Sequence, residues 1–133
     1  MSSIEYHFNA PITGEEVADV FQRSGINRPT DDMERIQKMI DHGNLIITAW
    51  DGAKLVGIAR SLTDFCYCCY LSDLAVDKDY QRCGVGKELI RQTQLRLSDQ
   101  VSLLLLSAPT AMTYYPTVGF DKAENAWIIR RKI

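Results

Sequence analysis

Apolar and polar residues alternate over Ile4–Phe8, the period of a short strand. The period then lengthens. Thr13 followed three positions later by Glu16 is a capping-box pattern, and Val17, Ala18 and Phe21 then form one apolar helix stripe. Gly25 should stop that helix. A second helix is expected from near Thr30 or Asp31, with Met33, Ile36 and Ile40 on one face and an end at Gly43. Leu45–Trp50 and Leu55–Leu62 read as strands, and Asp51-Gly52 between them is a hairpin signal. Tyr67–Val76 is mostly apolar or aromatic, which predicts a strand covered on both faces. Gly84–Ser98 places Val85, Leu89, Ile90, Thr93 and Leu97 at helical spacing. Val101–Ser107 is a continuous apolar strand, Pro109–Thr117 a short helix opened by proline, and Trp127–Lys132 a last strand. This order predicts an α/β sandwich built on a mixed sheet.

Length and composition narrow the class. A chain of 133 residues, 46% hydrophobic and 24% charged, is expected to form one domain over residues 1–133. Its longest apolar stretch, Val101–Ala108, is strand-sized, and Met1-Ser-Ser-Ile-Glu lacks the features of a secretory signal. Cys66, Cys68, Cys69 and Cys83 then read as free thiols in a reducing compartment, so the expected location is cytoplasmic with no membrane partner. A net charge of −2 offers nucleic acid no general attraction.

The chemistry concentrates between Val76 and the helix that follows, in Gln81-Arg82-Cys83-Gly84-Val85-Gly86. Two glycines at a helix start let backbone come close to a ligand. The free N–H groups of the first turn and the helix dipole make that end a place for a pyrophosphate. Arg82 and Lys87 add counter-charge. A Walker A loop would need glycine where Gln81 stands, and Ser or Thr where Glu88 stands. A dinucleotide fingerprint would need glycine or alanine at Leu89. Taken alone, a plain glycine turn before a helix accounts for the loop as well.

The loop has company. Leu74-Ala75-Val76, a short turn, and then Gln-x-x-Gly-x-Gly resemble the signature of the GNAT (Gcn-five-related N-acetyltransferase) superfamily. Ala111-Met112-Thr113-Tyr114-Tyr115-Pro116-Thr117-Val118-Gly119-Phe120 resembles the A-x-x-F-Y-x-x-x-G-F of the same family. The resemblance implies an acyl-CoA N-acyltransferase fold, with a mixed central sheet and helices on both faces. It implies acetyl-CoA as co-substrate and an amine acceptor, small molecule or peptide. Leu74, Ala75 and Val76 would meet pantetheine through main chain. Gln81, Arg82, Cys83, Gly84, Val85, Gly86 and Lys87 would hold the pyrophosphate. Tyr115 would stand near the thioester sulfur as the catalytic acid. No metal is implied, and a homodimer is an open expectation.

The match has gaps. Where some relatives carry a catalytic glutamate, this chain has Tyr70, and where many carry an asparagine it has Ala108. Strand alternation puts Asp73 on the face opposite Tyr70, Ser72 and Leu74. Asp73 reads as structural, or as a base or amine anchor. Cys66-x-Cys68-Cys69 lacks paired metal-ligand spacing and reads as thiols buried in a strand. Asp31, Asp32 and Glu34 suit a helix start by charge alone, or greet a cationic amine. His42 suits a helix C-terminus, and His7 has no evident partner. The alternative to an enzyme is a non-catalytic acyl-CoA sensor or partner subunit.

Overall fold

The computed structural model describes residues 3–133. Its sheet has five strands in the order β1 (Glu5–Phe8), β2 (Leu45–Asp51), β3 (Lys54–Thr63), β4 (Cys68–Val76) and β5 (Ser102–Leu104). The first four are antiparallel neighbours, and β5 lies parallel to β4. The sheet is therefore mixed, as the element order predicts.

Helices cover both faces. On one side α1 (Gly14–Ser24) and α2 (Met33–His42) bury Val17, Val20, Phe21 and Ile36 against Ile46, Leu55, Ile58 and Ala75. On the other, α3 (Val85–Leu95) buries Val85, Leu89 and Ile90 against Leu45, Ile47, Ala49, Val56, Ala59, Cys69 and Leu71. Burial of these side chains is the main favourable term in holding the layers together.

The local signals act as expected at the first helix. Thr13 accepts from the Glu16 backbone N–H at 3.1 Å, and Glu16 accepts from the Thr13 N–H at 3.0 Å. Gly25 closes α1 in the left-handed region with φ +84°. The second helix starts later than the sequence suggests, because Asp32 accepts from the Arg35 N–H and so fixes the cap there. Of its expected apolar face only Ile36 is fully covered, and Met33 remains exposed.

Two bulges shape the sheet. Ala49 pairs with Gly57 and Trp50 with Leu55, leaving Val56 unopposed. Arg60 pairs with Asp73 and Ser61 with Leu71, leaving Ser72 unopposed. Each extra residue reverses which face the following side chains occupy.

The C-terminal third departs most from the expected elements. β5 spans only Ser102–Leu104 rather than Val101–Ser107. Pro109–Thr117 is not one helix but two 3-10 turns, Pro109–Ala111 and Tyr115–Val118, each with a proline in its first positions, where a missing N–H costs no helical bond. Trp127–Lys132 forms no strand, and all of 121–133 is exposed. β4 is not covered on both faces along its length: Cys68 and Tyr70 are exposed while Cys69 and Leu71 are buried. Of the hairpin cysteines only Cys69 is buried; Cys66 and Cys68 face solvent.

Candidate active site

The site begins where the sheet splits. β4 and β5 pair only at Cys68–Ser102, Cys69–Leu103 and Tyr70–Leu104. β4 continues to Val76, so its edge from Leu71 to Val76 has no strand beside it among the described residues. Parallel strands that part in this way leave a wedge lined on one side by main-chain N–H and C=O groups. Leu74, Ala75 and Val76 lie along that open edge. Leu74 and Val76 turn their side chains to the α3 layer, and Ala75 turns to the α1–α2 layer.

The glycine loop closes the wide end. After a 3-10 turn at Lys78–Tyr80, the chain passes Arg82 at φ +70° and Gly84 at φ +80° before α3 begins. Two left-handed residues so close together turn the chain sharply into the helix start. No side chain caps α3, and its first backbone bond runs from the Glu88 N–H to the Gly84 carbonyl. The N–H groups of Val85, Gly86 and Lys87 therefore lie ahead of that bond. A Cβ placed on Gly84 would meet nothing within 4 Å, so the space over this helix start is open. Arg82, Cys83 and Lys87 are exposed around it.

Gln81 takes a different part. Its side-chain amide donates to the Val76 carbonyl at 2.9 Å and reaches the Ser24 carbonyl at 3.4 Å. It ties the loop to the end of β4 and to the end of α1. Asp77 adds a second anchor, almost fully buried and accepting from Arg23 and from the Asp79 N–H, with Lys54 at 3.7 Å. Burial works against its ionisation, but the Asp79 N–H and Arg23 outweigh it and hold its carboxyl below the usual range. Tyr80 donates to Asp51 at 2.5 Å, joining the loop to the β2–β3 turn.

The Ser72 bulge corrects one expectation. Past it, Asp73 and Ala75 face α1 and α2 rather than α3, so Asp73 shares the face of Tyr70 instead of opposing it. Asp73 is 1% exposed and accepts from two guanidinium groups, Arg28 Nε at 2.5 Å and Arg60 Nε. Arg28 also donates to the Ser72 carbonyl at 2.8 Å, and Arg60 to the Met39 carbonyl at 3.1 Å. A buried carboxylate held by two arginines is a structural clamp, which favours the structural reading of Asp73. Asp32 caps α2, and His42 Nδ1 lies 2.8 Å from the Lys38 carbonyl, so both serve helix ends.

Two tyrosines stand at the wedge. Tyr115 is partly buried, edge-on to Tyr114 with ring centroids 5.3 Å apart and to Phe120 at 5.6 Å. Burial pushes its hydroxyl above the ordinary tyrosine range; neighbouring Tyr114 adds to this, and the Arg28 cation opposes it. Tyr114 was not singled out by sequence. Its hydroxyl lies 2.9 Å from where a Gly86 Cβ would stand, and Val76 lies on the same side. A side chain at position 86 would push the Tyr114 hydroxyl away from the helix start. Arg28 was also missed, and only its place in Asn27-Arg28-Pro29, a turn between two helices, hinted at a fixed position.

A sheet splayed between a parallel pair, with an uncapped glycine-rich helix start at its mouth, defines an α/β protein whose open end presents unpaired main-chain N–H groups. Residues 11–129 match the family described as acetyltransferase (GNAT) domain, and the chain belongs to that family. It is 27% identical over 103 residues to an uncharacterised N-acetyltransferase, ycf52, of Pyropia yezoensis, covering 73% of this chain and 58% of that relative. The matching chain thus spans little more than half of that relative's length. Among solved structures, a GNAT-family acetyltransferase from Streptococcus pneumoniae superposes with a TM-score of 0.71 at 25% identity, covering 98% of this chain and all of that one (100%). The aminoglycoside N-acetyltransferase AAC(6')-Iy, solved with CoA, superposes with a TM-score of 0.72 at 15% identity, covering 100% and 97% of the two chains. The fold is that of the GNAT acetyltransferases, a family whose members move an acyl group from acyl-CoA to an amine.

Proposed function

We propose that residues 1–133 act as one domain that transfers an acetyl group from acetyl-CoA to a primary amine, by direct attack within a ternary complex. The acceptor is a small molecule or a peptide amine. The observation that carries the proposal is the wedge: a β4 edge open from Leu71 to Val76 that leads to an uncapped helix start at Gly84–Lys87. Pantetheine offers amides to such an edge, and a pyrophosphate fits the N–H groups and the open space over Gly84.

Acetyl-CoA supplies the thioester and a fair leaving group. The chain's own residues position and polarise. The backbone of Leu74, Ala75 and Val76 aligns pantetheine and turns N–H groups to the carbonyl. Val85, Gly86 and Lys87 offer backbone N–H groups to the phosphates, and Arg82 and Lys87 add positive charge. Gln81 acts here through its hold on Val76 rather than by touching the cofactor. Cys83, exposed beside the loop, contributes backbone. As the amine nitrogen bonds to the acyl carbon and the C–S bond breaks, Tyr115, its hydroxyl pushed above the ordinary tyrosine range by burial, gives its proton to the departing sulfur. The proton that the amine releases returns to the tyrosine through water. Holding amine and thioester together is itself worth several kcal/mol of barrier.

The test is formation of CoA from acetyl-CoA against a panel of aminoglycoside, polyamine, lysine and peptide amines. Products should be separated by chromatography, because three exposed protein thiols would react with a thiol dye. Amine-dependent CoA formation is expected. Tight acetyl-CoA binding without turnover on any amine would favour the sensor or partner-subunit alternative.

A further inference from the structure

Arg28 reaches the open edge of β4 with part of its hydrogen-bonding capacity unused. Its Nε donates to Asp73 at 2.5 Å, one terminal nitrogen to the Ser72 carbonyl at 2.8 Å, and the other to the Asn27 carbonyl at 2.7 Å. A guanidinium has five N–H groups, so one remains on each terminal nitrogen. The Arg28 side chain is 27% exposed, against 8% for Arg60, which shares Asp73 from the core side. Two guanidinium cations against one carboxylate leave the cluster positive. That charge is felt across the wedge: burial and Tyr114 raise the pKa of the Tyr115 hydroxyl, and the Arg28 cation lowers it.

Beside Arg28 the same face of the sheet is apolar and bare. Leu62 pairs with Tyr70 and Tyr70 with Leu104, so the three side chains form one row across β3, β4 and β5 on the α1–α2 side. They are 40%, 36% and 47% exposed, so the two helices leave the row largely uncovered. Tyr70–Leu104 is the last pair before the strands part, which brings the row to the apex of the wedge. The acids nearby are engaged elsewhere. Asp73 holds two arginines, Asp32 caps α2, Glu34 lies 3.5 Å from Lys38, and Asp64 accepts the N–H groups of Cys66, Tyr67 and Cys68. Asp31, the remaining acid of the α1–α2 turn, is exposed and makes no ion pair with Arg28.

We propose that the acceptor is an apolar α-amino acid, its carboxylate on the two free N–H groups of Arg28, its side chain on Leu62, Tyr70 and Leu104, and its α-amine in the wedge. The inference rests on the transfer reading above and adds the acceptor's class. A carboxylate supplies the anion that the cluster lacks, and a guanidinium binds it by charge-assisted hydrogen bonds. A polyamine or an aminoglycoside brings only more positive charge to Arg28. The amine, having lost its ammonium proton to solvent, bonds to the acetyl carbon as the C–S bond breaks. The sulfur takes the Tyr115 proton, and the proton released as the amide forms returns to the tyrosine through water. The products are an N-acetyl amino acid and CoA.

The experiment uses the full chain at saturating acetyl-CoA and follows CoA by chromatography. Phenylalanine is compared with phenylalaninamide, phenethylamine, glycine and spermidine. The kcat/KM for phenylalanine should exceed those for phenylalaninamide and phenethylamine by about tenfold or more, the size of a charge-assisted hydrogen bond. It should exceed that for glycine by a similar factor of about tenfold, from covering the ring. The amide carries the less basic amine and has more of it free near neutral pH, so reactivity alone would give the opposite order of acid and amide. Arg28→Gln should remove the preference for acid over amide, with acetyl-CoA affinity reporting that the variant is folded. Amide, amine or glycine used as well as phenylalanine, spermidine preferred to it, or a preference unchanged in Arg28→Gln would each overturn the proposal. Should Arg28→Gln fail to fold, the acid-to-amide ratio of the parent decides alone. Should no amine turn over, the transfer reading fails, and calorimetry of phenylalanine and phenylalaninamide into the protein with CoA present still decides. Tighter binding of the acid then upholds the carboxylate site, and equal or absent binding overturns it.

Discussion

At the scale of single residues, the proposed chemistry turns on Tyr115. Phenylalanine there keeps the ring and its edge contacts to Tyr114 and Phe120, so the change isolates the hydroxyl. Tyr115→Phe is expected to leave acetyl-CoA affinity within a few-fold and to lower the single-turnover rate by about 10²-fold, the low end for a positioned acid. The low end applies because the thiolate is already a fair leaving group. Since burial raises the Tyr115 pKa, the parent should show no loss of activity from this group until the pH passes about 10, the ordinary tyrosine value. A rate equal to the parent's across pH would make Tyr115 a packing residue. Tyr114 tests the complementary role. Its hydroxyl rests against Gly86, so Tyr114→Phe should alter acetyl-CoA affinity while leaving the rate at saturation close to the parent's. The reverse pattern would exchange the roles of the two tyrosines.

At the scale of elements, β4 is held to its neighbours by two buried carboxylates. Asp73→Asn removes the charge that two arginines share and should destabilise the fold by about 3 kcal/mol, measured by urea unfolding. Asp77 carries a pH signature. Its folded pKa is depressed, so the stability it contributes is present above the unfolded aspartate value, about 4, and is lost as pH falls through the folded value. Asp77→Asn should therefore be less stable than the parent at pH 7, with the gap closing below about pH 4. A gap that persists in acid would mean that shape, not charge, is lost. These elements also show where sequence was readable. The Thr13–Glu16 box, the Gly25 stop, the Asp51-Gly52 hairpin and the Gln81–Gly86 loop depend on neighbours in sequence, and each stands where expected. The Ser72 bulge does not, because it is fixed by the register of β3 against β4 and by arginines from distant segments. Plain alternation accordingly sets Asp73 opposite Tyr70, whereas past the bulge the two share a face and only Leu74 opposes Asp73. The last strand failed for a similar reason: Trp127–Lys132 has strand composition, but its partner is not settled by local pattern.

At the scale of the whole molecule, the central claim is that the splayed sheet and the helix start form one acetyl-CoA site. Binding to the folded state alone should stabilise it by about 2.7 kcal/mol at a hundredfold excess over the dissociation constant, seen as a rise in Tm. ATP and NAD should do less, since they lack the pantetheine that the proposal lays along Leu71–Val76. Gly84→Asp separates the site from the fold. Aspartate tolerates the φ of +80° better than most residues, nothing lies within 4 Å of its Cβ, and its charge suits a helix N-terminus. The same charge would occupy the place of a phosphate. The most direct measurement is therefore a calorimetric titration of acetyl-CoA into the parent and into Gly84→Asp, with the Tm of each recorded without ligand. The account predicts saturable binding to the parent, binding lost in the variant, and a variant Tm close to the parent's. No binding to the parent, or equal affinity in a well-folded Gly84→Asp, would contradict it.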